Sequence, residues 1–187
     1  APERAVQIMR AWACHPWPIT FDEGTRIYTS LGFVGDPAQP RYFTSDMSPT
    51  KPDSLFHGKD NMIGGVRLQI SNRISSDGNR TTSHEAAHAH YHSIRKEFLR
   101  TLSTPYSSKD TNTRFLTQWF LHNGVGVRLG GNMSLISITL ESPTQAKYHI
   151  EELEAEEIGV DYFSHTPAHS PWAPACRGPR AVRTRRW

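Results

Sequence analysis

Thr82-Ser83-His84-Glu85-Ala86-Ala87-His88-Ala89-His90-Tyr91-His92-Ser93-Ile94-Arg95-Lys96-Glu97-Phe98-Leu99-Arg100-Thr101-Leu102 is the stretch on which the reading of the fold turns. Ala87, Tyr91, Ile94, Phe98 and Leu102 recur every three to four residues, the spacing of one face of an α-helix, so the segment predicts a helix with a buried stripe. His84, His88 and His92 form a second stripe beside the first, one turn apart from one another. Arg95 and Glu97 are read as parts of a solvated face.

Upstream, Val66-Arg67-Leu68-Gln69-Ile70 alternates apolar and polar residues and reads as a half-buried strand. Ser75 to Asn79 reads as a turn between that strand and the helix. Downstream of Pro105 and a polar loop, Arg114 to Leu121 is helix or strand. Val125 to Leu129 and Leu135 to Leu140, separated by Gly130-Gly131-Asn132, predict a β-hairpin. Gln145 to Ile158 predicts a second main helix, acidic on its outer side.

Nearer the start, Glu3 to Ala13 predicts a short amphipathic helix through Val6, Ile8, Met9 and Trp12, stopped by His15-Pro16-Trp17-Pro18. Thr25 to Phe33 has strand character through Ile27, Tyr28, Leu31 and Phe33. Gly35 to Asp60 carries Pro37, Pro40, Pro49 and Pro52 and reads as a long loop with a short strand at Arg41 to Thr44. No internal repeat is visible. The expected fold is α+β: one loop-rich domain over 1–166, with a mostly antiparallel sheet and two main helices, and an irregular basic tail over 167–187.

The net charge of +3 is unevenly placed. Arg177, Arg180, Arg183, Arg185 and Arg186 crowd the end, behind an acidic run of Glu151, Glu152, Glu154, Glu156 and Glu157. Such a tail suits a nucleic acid or an acidic partner, or is simply solvated. Loop 35–60 and tail 177–187 are the expected contacts of a homo-oligomer or an assembly. No apolar run approaches the roughly 20 residues that cross a bilayer. No secretory or lipidation signal stands at the start, and Ala1 fits either loss of an initiator Met or cleavage of a longer precursor. The two cysteines, Cys14 and Cys176, form one bridge or remain two thiols; the spacing leaves both open.

The chemistry is concentrated in His84-Glu85-Ala86-Ala87-His88, of the form H-E-x-x-H. Two imidazoles four residues apart on a helix can grip zinc, and the glutamate beside the first can serve as general base toward a bound water. Strand, turn and H-E-x-x-H helix together resemble the core of the zincin metallopeptidases. That resemblance implies zinc on His84 and His88, Glu85 as the base, and a peptide or protein substrate. In its glutamate-ligand branch the third ligand comes from a later E-x-x-A-D stretch. Glu152-Leu153-Glu154-Ala155-Glu156 is similar, with Glu where the family has Asp, which nominates Glu152; His92 is the fallback.

The same residues admit other readings. Thr82-Ser83-His84-Glu85 fits a capping box, in which Glu85 closes on the backbone of Thr82 and His88, His90 and His92 merely face solvent. The order of elements, with V-R-L-Q-I, Ile94-Arg95 and Phe98-Leu99 before a hairpin, is similar to phage tail-terminator and minor capsid proteins, implying a non-enzymatic ring subunit. Arg26, Thr81-Thr82-Ser83 and Glu152-Leu153-Glu154 are similar to the Arg, S-T-S and E-x-E elements of secreted ADP-ribosyltransferases, whose Arg lies on an early strand.

Overall fold

The computed structural model describes residues 2–71 and 80–158, with side chains excepted at 80–83 and 158. The readings of 75–79 as a turn and of the segment from Pro167 as irregular lie outside these residues. Four helices flank one eight-stranded antiparallel sheet, an α+β fold as the sequence predicts.

α1 (Pro2–Ala13) buries Ile8, Met9 and Trp12, the face its periodicity marks out. The next element differs from the expectation of a strand over 25–33: α2 runs Phe21–Ser30. Its start is set by a capping box, Thr20 accepting from the Glu23 amide and Glu23 accepting from the Thr20 amide. Ile27, Tyr28 and Leu31 are buried because their spacing also fits one helix face. Tyr28 is the centre of this half of the core, stacked on Phe43 at 4.2 Å and edge-on to Trp12 at 4.9 Å. Its hydroxyl lies 3.0 Å from the Leu55 carbonyl and 2.9 Å from that of Arg67, pinning α2 to two strands.

The segment expected over 35–60 as a long loop with one short strand holds that strand and a second, longer one. β1 (Val34–Gly35), β2 (Tyr42–Thr44), β3 (Ser54–Lys59) and β4 (Met62–Gln69) form a meander that begins at one sheet edge. Polar residues and prolines disguise β3, whose inward positions are only Ser54 and Phe56. α3 (Arg80–Leu102) then leads to a second meander: β5 (Ser107–Asp110), β6 (Arg114–Phe120), β7 (Gly126–Asn132) and β8 (Ile136–Glu141). The sheet order is β1-β2-β3-β4-β8-β7-β6-β5, so two four-stranded meanders, each headed by a helix, meet where β4 pairs with β8. This duplication of topology leaves no repeat in the sequence.

Strand alternation divides the sheet into two faces. Ile136, Ile138 and Leu140 on β8, and Phe115 and Trp119 on β6, join α1, α2 and α3 in the main core. Phe120 faces the other way and packs with Ala146 and Ile150 of α4 (Pro143–Ile158). α3 and α4 therefore lie on opposite faces. No helix among the described residues is long and apolar enough to cross a membrane. Cys14, just past α1, is disulfide-bonded, and the other cysteine of the chain, Cys176, lies outside the described residues.

Candidate metal centre

α3 begins at Arg80, so the backbone of Thr82 is already helical. An N-cap residue is non-helical by definition, which removes the capping-box reading of Thr82 and Glu85. Glu85 is exposed.

The buried stripe of α3 lies over β6 and β7, and Phe115 of β6 packs beneath the histidines, 5.8 Å from the His84 ring and 5.1 Å from that of His88. The histidine stripe consequently runs along the end of the sheet where β5 is the last strand. Thr117 of β6 ties helix and edge together. Its buried hydroxyl lies 2.7 Å from Tyr91 Oη and 2.9 Å from Ser108 Oγ, and it accepts from Arg95 Nε at 3.0 Å. Arg95 is thus a half-buried bracing residue rather than part of a solvated face.

This bracing carries Asp110, the last residue of β5, to the helix. Asp110 Oδ2 is 3.0 Å from His88 Nε2 and 3.0 Å from His92 Nε2, and the two nitrogens are 3.1 Å apart. Three potential ligand atoms therefore form a nearly equilateral triangle. The side chains of His88 and His92 are 40% exposed and that of Asp110 41%, so one side of the triangle is open to solvent. Desolvation pushes the Asp110 carboxyl up, but hydrogen bonds from His88 and His92 and their charge outweigh it and hold the group below the usual carboxylate range.

With Asp110 ionised, protons on the histidines alone leave one edge of the triangle unsatisfied. With a proton on each Nε2, both histidines donate to Asp110, and two N–H groups then crowd into a 3.1 Å gap. With one Nε2 bare, that nitrogen accepts from its neighbour but turns its lone pair against the carboxylate oxygen 3.0 Å away. A cation at the centre makes all three lone pairs ligands. Two imidazoles and a carboxylate are a donor set that suits zinc and other first-row divalent ions.

The structure brings together only part of the set expected from H-E-x-x-H. His88 belongs to the triangle, but His84 does not; its ring is 6.0 Å from that of His88, roughly parallel to it, and its Nε2 is buried without a hydrogen-bond partner among the described residues. The fallback, His92, takes the place expected of His84. Glu152 is not brought to the histidines: it is on α4, where it lines a recess with Glu141 and His149 on the opposite face of the sheet. Asp110 is the residue that sequence reading missed. Ser-Ser-Lys-Asp has no apolar alternation, and nothing local marks it as a strand or a ligand. The transferase pattern is not assembled either, since Arg26 lies on α2 and residues 81–83 in the first turn of α3 instead of on strands.

Residues 3–142 match a protein family of unknown function, DUF6301. The chain belongs to that family. No curated protein and no solved structure is similar to it. The DUF6301 segment spans α1 through β8, so it contains His88, His92 and Asp110, while α4 with Glu152 follows it.

Proposed function

We propose that this protein is a zinc-dependent hydrolase whose metal is held by His88, His92 and Asp110 and whose substrate is a peptide or protein. The observation that carries the reading is the triangle of donor atoms, with edges of 3.0, 3.0 and 3.1 Å, in which, with Asp110 ionised, no placement of protons on the histidines makes every edge attractive. Zinc with ligand distances near 2.0–2.1 Å spaces the donors of one tetrahedral face about 3.3 Å apart, so seating the ion opens the triangle by only a few tenths of an ångström.

Three protein ligands and an open side are the arrangement of a catalytic zinc rather than a closed structural one. Zinc there would supply Lewis acidity, bringing the pKa of a water in the fourth position to about 7. Glu85, three residues before His88, occupies the neighbouring strip of the helix surface and is assigned the role of general base toward that water. The exposure of the three side chains makes the centre accessible to a polypeptide.

Metal analysis of the purified chain tests this reading. Stoichiometric zinc in the wild type, lost in His92→Ala and kept in His84→Ala, is expected, with Glu85→Gln retaining metal but losing peptidase activity. A wild type without metal after zinc loading sinks the proposal, and a ring-sized oligomer without metal favours the non-enzymatic subunit instead.

A further inference from the structure

We propose that the end of the sheet at the β3–β4 hairpin carries a second site, a cleft for a neutral, hydroxyl-rich small molecule of sugar size that runs from Trp17, its apolar platform, to His149, a hydrogen-bonding group beside α4. Two recesses of about 670 and 390 Å³ share His57, Gly64 and Gln145, and so form one cleft between the β3–β4 hairpin and the start of α4. That volume suits a ligand of one or two sugar rings.

The floor of the cleft is glycine. Gly65 stands in β4 where the strand is paired on both sides, and Gly64 beside it falls at the β-bulge between β3 and β4, a position where glycine marks a bend or a close approach to the backbone. A Cβ on Gly65 would collide with the His57 ring, which lies across it. A Cβ on Gly64 would meet nothing nearer than Gln145 Cγ at 3.6 Å, so the space above it is cleft.

At the polar end, His149 Nδ1 lies 3.0 Å from Glu141 Oε2, while the other oxygen of Glu141 is 3.7 Å from Arg128 Nη2. Gln118 Nε2, 3.3 Å from the same nitrogen, is its second polar neighbour. These two contacts hold the imidazole ring in place at the polar end of the cleft. At the other end the Trp17 indole N–H is spent on the Trp12 carbonyl at 3.1 Å, which leaves the ring to offer apolar surface.

Charge decides the ligand class. Lys59 and Arg128 in the lining are balanced by Glu141 and Glu152, so the cleft offers no excess of either sign. Thr139, Tyr148 and Gln145 add groups that both donate and accept. A neutral polyol matches such a lining: its hydroxyls pair in both directions, and the C–H face of a ring packs on an aromatic platform.

Saturation-transfer difference NMR on the full chain with glucose, N-acetylglucosamine and maltose tests the site, with glucosamine and glucuronate as charged comparators. At least one neutral sugar is expected to bind, about tenfold more weakly after His149→Ala and not at all after Gly64→Val, which puts a branched side chain where the two recesses join. Trp17→Leu supplies an independent loss of binding should the valine disturb folding, and His92→Ala, in the histidine–aspartate triangle, is expected to leave binding intact. Absence of binding by all three neutral sugars overturns the proposal, as do tighter binding of a charged comparator and binding that survives Gly64→Val in a folded protein. Metal content is read separately, so the two sites stand or fall independently.

Discussion

His92 on α3 and Asp110 at the end of β5, eighteen residues apart in the chain, meet at 3.0 Å between Nε2 and Oδ2. An Asp110→Asn substitution keeps the shape of the triangle and removes its negative charge. Since loss of a mere outer partner of a metal ligand costs 10–100-fold in affinity, loss of Asp110 as the direct ligand we propose it to be is expected to cost at least about 100-fold. Competition with a chromophoric chelator measures it, and unchanged zinc affinity would remove Asp110 from the site.

Thr117 has three polar neighbours around one buried hydroxyl. Thr117→Val leaves the Tyr91 hydroxyl and Arg95 Nε short of a partner, which is expected to cost about 2 kcal/mol. Because Ser108 shares that hydroxyl with the helix, β5 is expected to loosen at the same time, and affinity at the proposed zinc site to fall while His88, His92 and Asp110 are all still present. Urea denaturation and the chelator assay check the two effects; a variant as stable as wild type contradicts the bracing role.

Glu23 gives the protein an acid-sensitive helix start. The backbone N–H of Thr20 lowers its pKa below the ordinary 4.5, burial opposes this, and the Thr20 hydroxyl, His15 and Arg26 assist it. A carboxyl whose pKa is depressed on folding stabilises the fold above its unfolded pKa, and that contribution disappears as pH falls through the folded value. Between pH 6 and pH 3 the urea midpoint of Glu23→Gln is expected to fall less than that of the wild type. Parallel pH profiles would show that the capping box contributes no linkage.

Cys14 is disulfide-bonded, and the chain holds just two cysteines. Unfolded but unreduced protein is therefore expected to show no reaction with a thiol reagent, and two thiols per chain after reduction. Reduction is expected to lower stability by about 2–4 kcal/mol, the usual range for a bridge. One reactive thiol in the unreduced monomer would refute the bond.

Local patterns in the sequence were sufficient wherever one face of an element is apolar at regular spacing. α1, β4, α3, the β7–β8 pair and α4 are all legible for that reason, to within a few residues at each end. α2 was not, because Ile27, Tyr28, Leu31 and Phe33 satisfy strand and helix spacing about equally, and Thr20 with Glu23 was the overlooked signal. β3 and β5 were not, because an edge or hairpin strand with polar residues is formed by its neighbour's hydrogen bonds rather than by its own side chains.

Three histidines one turn apart on a helix are legible in the residue spacing, since helical spacing is a property of local backbone geometry. Which two of them converge is set by the packing of distant elements. That choice depends on where β5 crosses the helix, and the crossing is set by the pairing of β5 with β6 and by the Thr117 contacts. The same sheet separates Glu152 from the histidines, because the side of a sheet on which a following helix packs is fixed by long-range burial, here of Phe120 against Ala146 and Ile150. Spacing could nominate ligands on one helix; a third ligand from another element had to await the fold.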